Sequence, residues 1–494
     1  MDSPVEIPYK SFVKIDRKSS SSIYMQIANQ LINAIQRGYL PFGTKLPGTR
    51  SLSSILEVHR NTIVSAYDEL LAQGWIESRP NKGTFIIGKE ENKILQKDFE
   101  QNTLNHYPKS AGFTFKTSNI LDNPFEHSTC EYVFNDGAPD IRLTQIDQHS
   151  RIYSSTLKRR AHKIGHYNQD GSEFFKKNLS QYLNLSRGLP ISKNNVLITR
   201  STEMSIYIVS EILLSEGDTV LVGELSYFSV NMIFQRKGVN IISIPIDDDG
   251  INVEEVRKIC QKQKIRMLYL TPHHHYPTTV TLSAQRRLEL LNLSNTYGFV
   301  ILEDDYDYDF HYDKSPLLPL ASADTGGMVI YIGSFGKSLA PGFRTGFIVA
   351  PENLMIEMRK HLGIIDRQGD VVMEHVLGEM IDEGEINRYL KKSIKIYQER
   401  RDYFTELLGK YLGDYIRFQI PSGGLAIWIE WTQPINLMQL SRVCVQNNLF
   451  IPKTLLYQNK NLTAMRLGFG NLTFIEMENC MKILSECVFE VLKN

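Results

Sequence analysis

The sequence has few cysteines and no long apolar run. Its five cysteines are scattered over 494 residues, and no two of them form a Cys-x-x-Cys pair. This pattern excludes a disulfide framework and a cysteine-based zinc site as organising features. No stretch approaches the roughly 18 apolar residues that span a bilayer, and the N-terminal MDSPVEIPYK lacks the pattern of a signal peptide. We therefore expect a cytoplasmic protein without a membrane association.

The charge is not biased toward one sign. Lysine and arginine together number 55, and so do aspartate and glutamate, which gives a net charge of +0. With 42% hydrophobic and 22% charged residues, the composition is that of an ordinary globular protein and not of a disordered or collagenous one. The length of 494 residues predicts two or three domains.

The first part of the chain predicts a winged helix-turn-helix. Apolar residues recur at helical spacing between Ser22 and Arg37. A short second helix follows, and then the segment RNTIVSAYDELLAQG predicts a third helix that ends near Gly74. WIESRPNKGTFIIG has two β-prone runs around a Pro-Asn-Lys-Gly turn, which predicts a hairpin. We place a DNA-binding domain at residues 11–88.

The rest of the chain predicts a linker and an α/β domain. Residues 89–125 are polar and aperiodic, which is typical of a linker. In residues 126–494, apolar runs such as NVLIT, DTVLVG, RMLYLT, GFVILE, MVIYIG and GFIVA alternate with longer helical stretches. This alternation predicts a domain with a largely parallel central sheet.

The predicted helix-turn-helix has side chains that suit DNA. The second helix of such a motif presents its first residues to base edges in the major groove. The residues at these positions, which suit guanine, adenine and phosphate contacts, are His59, Arg60, Asn61 and Thr62. Those that suit phosphate contacts in the preceding helix and the wing are Arg50, Lys82 and Gly83. The alternative is a helical domain whose polar residues only face water.

The order of the predicted helices and the hairpin is similar to that of a known family of DNA-binding domains. From IYMQIANQLINAIQRGYLPFGTKLP through HRNTIVSAYDELLAQGWIES to NKGTF, residues 20–88 resemble the winged-helix domain of GntR-type transcription regulators. The resemblance implies binding to double-stranded operator DNA.

Polar residues follow four predicted strands of the second domain, where open α/β sheets bind ligands. The segments RST, ELSY, EDDYDYDF and SFGKS together contain what pyridoxal phosphate requires: a lysine for a Schiff base, a carboxylate for the pyridine nitrogen and groups for the phosphate. We expect Lys337 to be the lysine, Asp304 the carboxylate and Tyr306 the partner of the phenolic oxygen. The residues expected at the phosphate and the ring face are Ser201, Thr202, Ser334, Arg344 and Tyr227.

Two other interpretations of these segments stay open. The acidic run EDDYDYD is also typical of a solvated loop or of a calcium site, although no EF-hand spacing is present. The triple histidine His273, His274 and His275 suggests a metal site. Consecutive side chains on an extended segment point to opposite sides, however, so we expect no metal.

The segment SFGKSLAPGFRTG resembles the cofactor-lysine segment of fold-type I aminotransferases. Residues 126–494 follow the motif order of that family, with HYNQDG, TPHHHYPTT and EDDYDYDF before this segment and SGGLAIWIEW and MRLGFG after it. With a GntR-like head, the chain resembles MocR-type regulators, in which an aminotransferase-like body senses an effector. The resemblance implies a fold-type I domain with a smaller C-terminal α+β subdomain.

The same resemblance implies roles for further residues. Lys337, Asp304 and Tyr306 would form the catalytic set, and His275 would lie near the cofactor ring. Arg466 would receive the carboxylate of an amino acid. Tyr167 would reach the phosphate of the neighbouring subunit, which implies a homodimer.

Two departures from the family pattern fall in the expected pocket. Thr279 stands where glycine is usual, and Ser201 precedes Thr202 and Glu203 where the family has a small residue followed by glutamine. We expect a dimeric transcription regulator that holds pyridoxal phosphate and responds to an amine, an amino acid or the cofactor itself. The alternatives are a working aminotransferase with an accessory DNA-binding domain and a cofactor-free scaffold that pairs the heads.

Overall fold

Two units make up the chain, Met1–Phe115 and Lys116–Asn494. The structure is a computed structural model, and it describes residues 7–80, 82–87, 110–118, 120–121, 126–160, 171–312, 316–339, 341–367 and 369–493. Most of the predicted linker and Tyr167 lie outside the described residues. No helix in the described ranges is both long and apolar enough to cross a bilayer.

In the first unit, four helices precede a hairpin. The elements are α1 (Tyr9–Phe12), α2 (Ile23–Gln36), α3 (Thr49–Leu56), α4 (Arg60–Ala72), β1 (Ile76–Arg79) and β2 (Gly83–Ile86). Ile27, Leu31 and Ile35 recur every four residues, so they form one buried face of α2. They share a core with Ile63 and Leu70 of α4.

The hairpin closes this core. Strands β1 and β2 pair antiparallel, with Ile76 opposite Ile86, and both side chains are buried in the core of the unit. Gly83 begins β2 with a φ of 112°, a value that residues with a Cβ rarely adopt. Helices α2 to α4 and the hairpin confirm the predicted winged helix-turn-helix.

The second unit alternates strands and helices. Its strands are β3 (Tyr132–Val133), β4 (Val196–Thr199), β5 (Thr219–Gly223), β6 (Asn240–Ile244), β7 (Ile246–Asp247), β8 (Gly250–Ile251), β9 (Met267–Leu270), β10 (Val300–Asp305), β11 (Val329–Ser334), β12 (Gly346–Val349), β13 (Ile416–Phe418), β14 (Ala426–Trp431), β15 (Leu449–Phe450), β16 (Leu456–Gln458) and β17 (Thr463–Gly468). Its helices are α5 (Ile146–Arg160), α6 (Glu173–Arg187), α7 (Thr202–Leu213), α8 (Phe228–Arg236), α9 (Val253–Lys262), α10 (Ala284–Tyr297), α11 (Leu320–Ala323), α12 (Glu352–Ile365), α13 (Val371–Asp382), α14 (Glu385–Leu412), α15 (Leu437–Gln446) and α16 (Phe474–Lys493).

Seven strands form the central sheet, in the order β4-β12-β11-β10-β9-β5-β6. Only β12 runs antiparallel to its neighbours, β11 and β4. Strands buried on both faces need helices on both sides. Ile332 shares a buried cluster with Ile206 of α7 on one face, and Ile301 shares another with Leu290 of α10. The predicted largely parallel α/β sheet is confirmed.

A second, antiparallel sheet organises the C-terminal part. Its strand order is β13-β14-β17-β16, and Ile427 of β14 and Leu467 of β17 lie in its core. The long helix α14 contributes Leu390 to the core beside the central sheet and Phe404 to this second core. The arrangement is the predicted smaller α+β subdomain, and α14 joins it to the large sheet.

Candidate functional site

A cavity of about 360 Å³ opens where the central strands end. Parallel strands end at one edge of a sheet, so residues that follow different strands meet there. Among the predicted cofactor residues, those that line the cavity are Ser201, Thr202, Tyr227, Asp304, Tyr306, Ser334, Lys337 and Arg344. The structure therefore brings together eight residues that the sequence spreads over more than a hundred positions.

The amine of Lys337 lies in this cavity. Its Nζ donates a hydrogen bond of 3.1 Å to the main-chain oxygen of Asp136 and lies 4.6 Å from the centre of the Tyr306 ring. Burial lowers the pKa of Lys337, and the nearby guanidinium of Arg466 lowers it further, while the charge of Asp136 opposes the change. A lysine with a lowered pKa is more often neutral, as a nucleophilic amine must be.

Asp304 provides a buried carboxylate with one open oxygen. Its Oδ2 accepts a hydrogen bond of 2.7 Å from the Tyr269 hydroxyl. Its Oδ1 is buried and has no hydrogen-bond partner among the described residues. Burial raises the pKa of Asp304 to about 8, against the hydrogen bond from Tyr269, and the charge of Glu203 adds to the rise. A cation beside Oδ1 would satisfy this oxygen and lower the pKa again.

Tyr306 and Arg466 lie side by side. The hydroxyl of Tyr306 donates to the main-chain oxygen of His274 at 2.8 Å, and Nη2 of Arg466 lies 3.4 Å from that hydroxyl. Arg466 is only 1% exposed. Its Nε donates to Oδ1 of Asp136 at 2.6 Å, and its Nη1 donates to the main-chain oxygen of Pro277 at 2.9 Å. The guanidinium is therefore bound to a carboxylate of the chain itself.

The start of α7 and Arg344 form a site that suits an anion. Ser201 is the N-cap of α7, and its Oγ accepts a hydrogen bond from the main-chain nitrogen of Met204. The unpaired N–H groups of a first helical turn favour a negative charge. Arg344 makes no hydrogen bond or ion pair with any described residue, and its φ of 47° is strained for a side chain with a Cβ. With Ser334, these groups fit a phosphate.

Tyr227 lines the cavity at the start of α8. Its hydroxyl donates to Oε1 of Glu203 at 3.1 Å. Its ring meets the ring of Tyr276 edge-on, with 5.2 Å between the ring centres. This packing holds the aromatic ring of Tyr227 at the wall of the cavity.

His275 is buried but does not belong to the described residues that line the cavity. Its Nδ1 lies 2.9 Å from Oγ1 of Thr278. Burial lowers the pKa of His275 to about 3, and the charge of Arg466 acts in the same direction. Tyr167, which the resemblance assigns to the phosphate of a neighbouring subunit, lies outside the described residues.

The acidic run is part of the protein interior and not a solvated loop. Glu303 accepts hydrogen bonds of 2.8 and 2.9 Å from the first N–H groups of α11. Asp305 accepts a bond of 2.5 Å from Tyr331, and Asp307 pairs with His274 at 2.8 Å. Within the described residues, no group of three or more acids, histidines or cysteines could hold a metal ion. Two histidines of the triple lie beside acids of this run, His273 at 3.2 Å from Asp305 and His274 at 2.8 Å from Asp307.

The first unit exposes the residues that were predicted to contact DNA. Helix α4 begins at Arg60, and Nδ1 of the N-cap His59 accepts a hydrogen bond from the main-chain nitrogen of Asn61 at 3.3 Å. Arg60 and Asn61 are exposed and Thr62 is half-buried. The other predicted contact residues, all exposed, are Arg50, Lys82 and Gly83. The first turn of α4 is therefore open to a ligand.

Several cavity residues were not predicted as cofactor or substrate residues. Among them are Asp136, Arg200, Glu203, Tyr269 and Tyr276. Arg200 directly follows β4, and Tyr269 lies near the end of β9, so their positions at strand ends were a usable signal. Asp136 precedes the Gly-Ala-Pro-Asp segment, and no periodicity marks it.

The fold and the cavity define a class of protein. A family model described as aminotransferase class I and II matches residues 144–475, and one described as bacterial regulatory proteins, gntR family, matches residues 23–86. The chain belongs to the aminotransferase class I and II family, and it carries a gntR-type head. That family uses pyridoxal phosphate, and the open oxygen of Asp304, the unpaired Arg344 and the buried Lys337 fit this cofactor.

Known proteins are similar to this chain over most of its length. The probable rhizopine catabolism regulatory protein MocR of Rhizobium meliloti is 25% identical over 427 residues, which cover 85% of this chain and 84% of MocR. The HTH-type transcriptional regulator TauR of Rhodobacter capsulatus is 25% identical over 433 residues, 86% of this chain and 87% of TauR. The crystal structure of a kynurenine aminotransferase from Pyrococcus horikoshii aligns with a TM-score of 0.68 at 25% identity, over 74% of this chain and 92% of that one. The predicted MocR-type combination is confirmed.

Proposed function

We propose that the protein is a transcription regulator that binds operator DNA through residues 11–88 and pyridoxal phosphate through residues 126–494. It acts in the cytoplasm as a homodimer, and its effector is a primary amine, an amino acid or the cofactor itself. One observation carries the sensor role: the buried Asp304 has an open oxygen at the cavity that holds the amine of Lys337. The similarity to MocR and TauR, which are named as regulators, supports regulation over catalysis.

Each of the predicted cofactor residues would contact a different part of pyridoxal phosphate. Asp304 would face the ring nitrogen, Tyr306 the phenolic oxygen and Tyr227 the ring. The groups that would hold the phosphate are the N–H groups after Ser201, Thr202, Ser334 and Arg344. When bound, pyridoxal phosphate supplies an aldehyde that reacts reversibly with primary amines.

Two side chains prepare this chemistry. Burial lowers the pKa of Lys337, which favours the neutral, nucleophilic form of its amine. The carboxyl group of Asp304, whose pKa is about 8, gives up its proton when a cation binds Oδ1, and the two charges then hold each other in a buried site. An effector that replaces the contacts of Lys337 can change DNA binding only if the protein has two conformations and the effector binds one of them more tightly than the other. Residues 89–125, the predicted linker, would transmit that difference.

The test uses the full-length protein and its own upstream DNA. With added pyridoxal phosphate, the purified protein should show a visible absorption band that Lys337→Ala lacks. Lys360→Ala is the matched control, because Lys360 is an exposed lysine paired with Glu357. Amines that change the band should also change the affinity for the DNA upstream of the gene. A band that Lys337→Ala retains, or DNA affinity that no amine and no cofactor changes, would contradict the proposal.

A second candidate function is an active aminotransferase. Lys337, Asp304 and Tyr306 share one cavity, and Arg466 lies 3.4 Å from Tyr306, so the groups for an amino-group transfer are close together. Steady turnover of an amino donor with a 2-oxo acid, absent in Lys337→Ala, would support this function. Spectral change without turnover would support the sensor.

A further inference from the structure

Arg466 and Asp136 form an ion pair beside the cavity, and the two partners differ in their access to it. Asp136 belongs to the described residues that line the cavity, whereas Arg466 does not. The side chain of Arg466 is 1% exposed and that of Asp136 is 38% exposed. Of the two partners, Asp136 thus lies at the cavity wall, whereas Arg466 is enclosed by the protein.

Arg466 is held in place on several sides. Beyond Asp136, it donates to Pro277 and Tyr306, and its guanidinium lies 4.9 Å from the centre of the Tyr276 ring. Asp136 is the one acid that forms an ion pair with it among the described residues. Burying a guanidinium without a charged partner is costly, because the charge loses its hydration. At this position the chain itself supplies the carboxylate partner.

The backbone presents Asp136 to this arginine. The main-chain oxygen of Asn135 accepts a hydrogen bond of 2.9 Å from Gly468, two residues beyond Arg466 on β17. Asn135 Oδ1 accepts another bond of 2.9 Å from the main-chain nitrogen of Ala138. Asp136 lies inside the turn that these two bonds fix, so its reach to Arg466 follows from the register of the segment on β17.

Asp136 also contacts the reactive amine. Its main-chain oxygen accepts from Nζ of Lys337 at 3.1 Å, while its side chain binds Arg466 at 2.6 Å. An α-amino acid that reacts at Lys337 would have to bring its own carboxylate to the same guanidinium. It would compete with a carboxylate that is part of the chain and would leave Asp136 as an unpaired negative charge in the cavity wall. A primary amine without a carboxylate would leave the ion pair intact.

We propose that Asp136 is a specificity-determining residue: it occupies the carboxylate position at Arg466, so the cavity selects primary amines that carry no carboxylate beside the amino group. The inference rests on the proposed function only in taking the ligand of the cavity to be an amine. The occupancy of Arg466 by Asp136 is independent of the cofactor and is tested separately.

The first test uses cofactor-free, full-length protein and sodium pentanoate, followed by calorimetric titration. Asp136→Asn keeps the shape of the side chain and removes its charge, so pentanoate should bind this variant at least about tenfold more tightly than the wild type. The double variant Asp136→Asn/Arg466→Met should lose that binding. Glu203→Gln is the control, because it removes a negative charge from the same wall without a contact to Arg466. Equal binding of pentanoate to the wild type and Asp136→Asn would overturn the inference.

A second measurement, thermal unfolding, tests the inference even if Asp136→Asn is less stable than the wild type. If Arg466 is left unpaired in Asp136→Asn, the variant should melt at a lower temperature than the wild type, and pentanoate should raise its melting temperature whereas pentanol should not. In the wild type, neither compound should do so. Stabilisation of the wild type by pentanoate to the same extent would contradict the assignment.

The third measurement uses protein with pyridoxal phosphate and a matched ligand pair. Butylamine and 2-aminopentanoic acid differ only by the carboxylate, and both are titrated while the visible spectrum is recorded. The wild type should bind butylamine about tenfold more tightly, and Asp136→Asn should reverse the preference. A wild type that prefers the amino acid would overturn the inference alone. Absence of any cofactor band would contradict the proposed function, while the pentanoate titration would still decide the role of Asp136.

Discussion

Tyr269 donates a hydrogen bond of 2.7 Å to Oδ2 of Asp304 across two neighbouring strands of the central sheet. Tyr269 lies opposite Leu302, two positions before Asp304, so both side chains point to the same face of the sheet. The hydrogen bond lowers the pKa of Asp304, whereas burial raises it more strongly. The pair therefore holds one oxygen of Asp304 and leaves the other, Oδ1, to a cation.

The stability of the cofactor-free protein should fall with rising pH because of Asp304. Its pKa is about 8 in the folded protein and lies near 3.8 in the unfolded chain, so the folded state holds the extra proton between these values. The stabilisation is complete at low pH and is lost as the pH rises toward 8. Between pH 5 and 7, the wild type should lose up to about 1.4 kcal/mol per pH unit relative to Asp304→Asn.

Urea unfolding of both proteins across this pH range measures the difference. His275 and His311 also titrate away from their ordinary range, with pKa values lowered to about 3 by burial, but they are present in both proteins. Their contribution therefore cancels in the comparison. Parallel pH profiles for the wild type and Asp304→Asn would contradict a raised pKa.

The buried ion pair between Asp140 and Arg400 should be important for stability. Asp140 accepts a hydrogen bond of 2.8 Å from Nη2 of Arg400, and the side chains are 3% and 8% exposed. Asp140→Ala leaves Arg400 as a buried cation, so we expect a loss of about 3 to 5 kcal/mol in the free energy of unfolding. The control is Glu357→Ala, which breaks the exposed pair with Lys360 and should cost less than about 1 kcal/mol. Similar losses in both variants, measured by urea unfolding, would show that burial of the Asp140 pair is unimportant.

The sequence predicted the cavity well because its residues follow strands. The parallel order of β4, β5, β10 and β11 brings their carboxyl ends to one edge, so a polar residue after an apolar run is informative. This pattern led us to expect that Lys337 and Asp304 would lie close together, and both line the cavity. The MocR-type combination of domains was predicted from the order of motifs along the sequence, and this order can be seen without knowing any contact in the folded protein.

Contacts between distant segments could not be predicted in the same way. Arg466 and Asp136 are 330 residues apart, and their pairing depends on how Asn135 docks on the end of β17. The acidic run reads as a solvated loop until the partners of its carboxylates are known, because His274 and Tyr331 come from other segments. Charge in a sequence does not reveal whether a neighbour in space will neutralise it.

The departure at Thr279 should have a cost in stability. Thr279 has a φ of 63°, in the left-handed region that suits glycine and is unfavourable for a β-branched residue. Thr279→Gly should therefore stabilise the second unit by about 1 kcal/mol. Thr278→Gly is the matched control, since it removes the Oγ1 that lies 2.9 Å from His275 and should destabilise. Thermal unfolding should show a higher melting temperature for Thr279→Gly and a lower one for Thr278→Gly. A lower melting temperature for Thr279→Gly would mean that the contacts of the Thr279 side chain stabilise the protein more than its backbone strain destabilises it.

Arg60 and Lys82 should affect DNA binding in different ways. Arg60 begins the exposed first turn of α4, where a forked guanidinium can bond a guanine with two hydrogen bonds, so Arg60→Ala should cost about 1 to 3 kcal/mol on the operator and relax sequence preference. Arg60→Lys keeps the charge but lacks the two-pronged guanidinium, so it should lose most of the same preference.

Lys82→Ala should weaken binding to operator and random duplexes alike and reduce the slope of log K against log salt by about 1. Titrations of operator and random DNA at several salt concentrations separate these effects. If Arg60→Ala weakens both duplexes equally, Arg60 contacts phosphates, and the base contacts must come from its neighbours on the same turn.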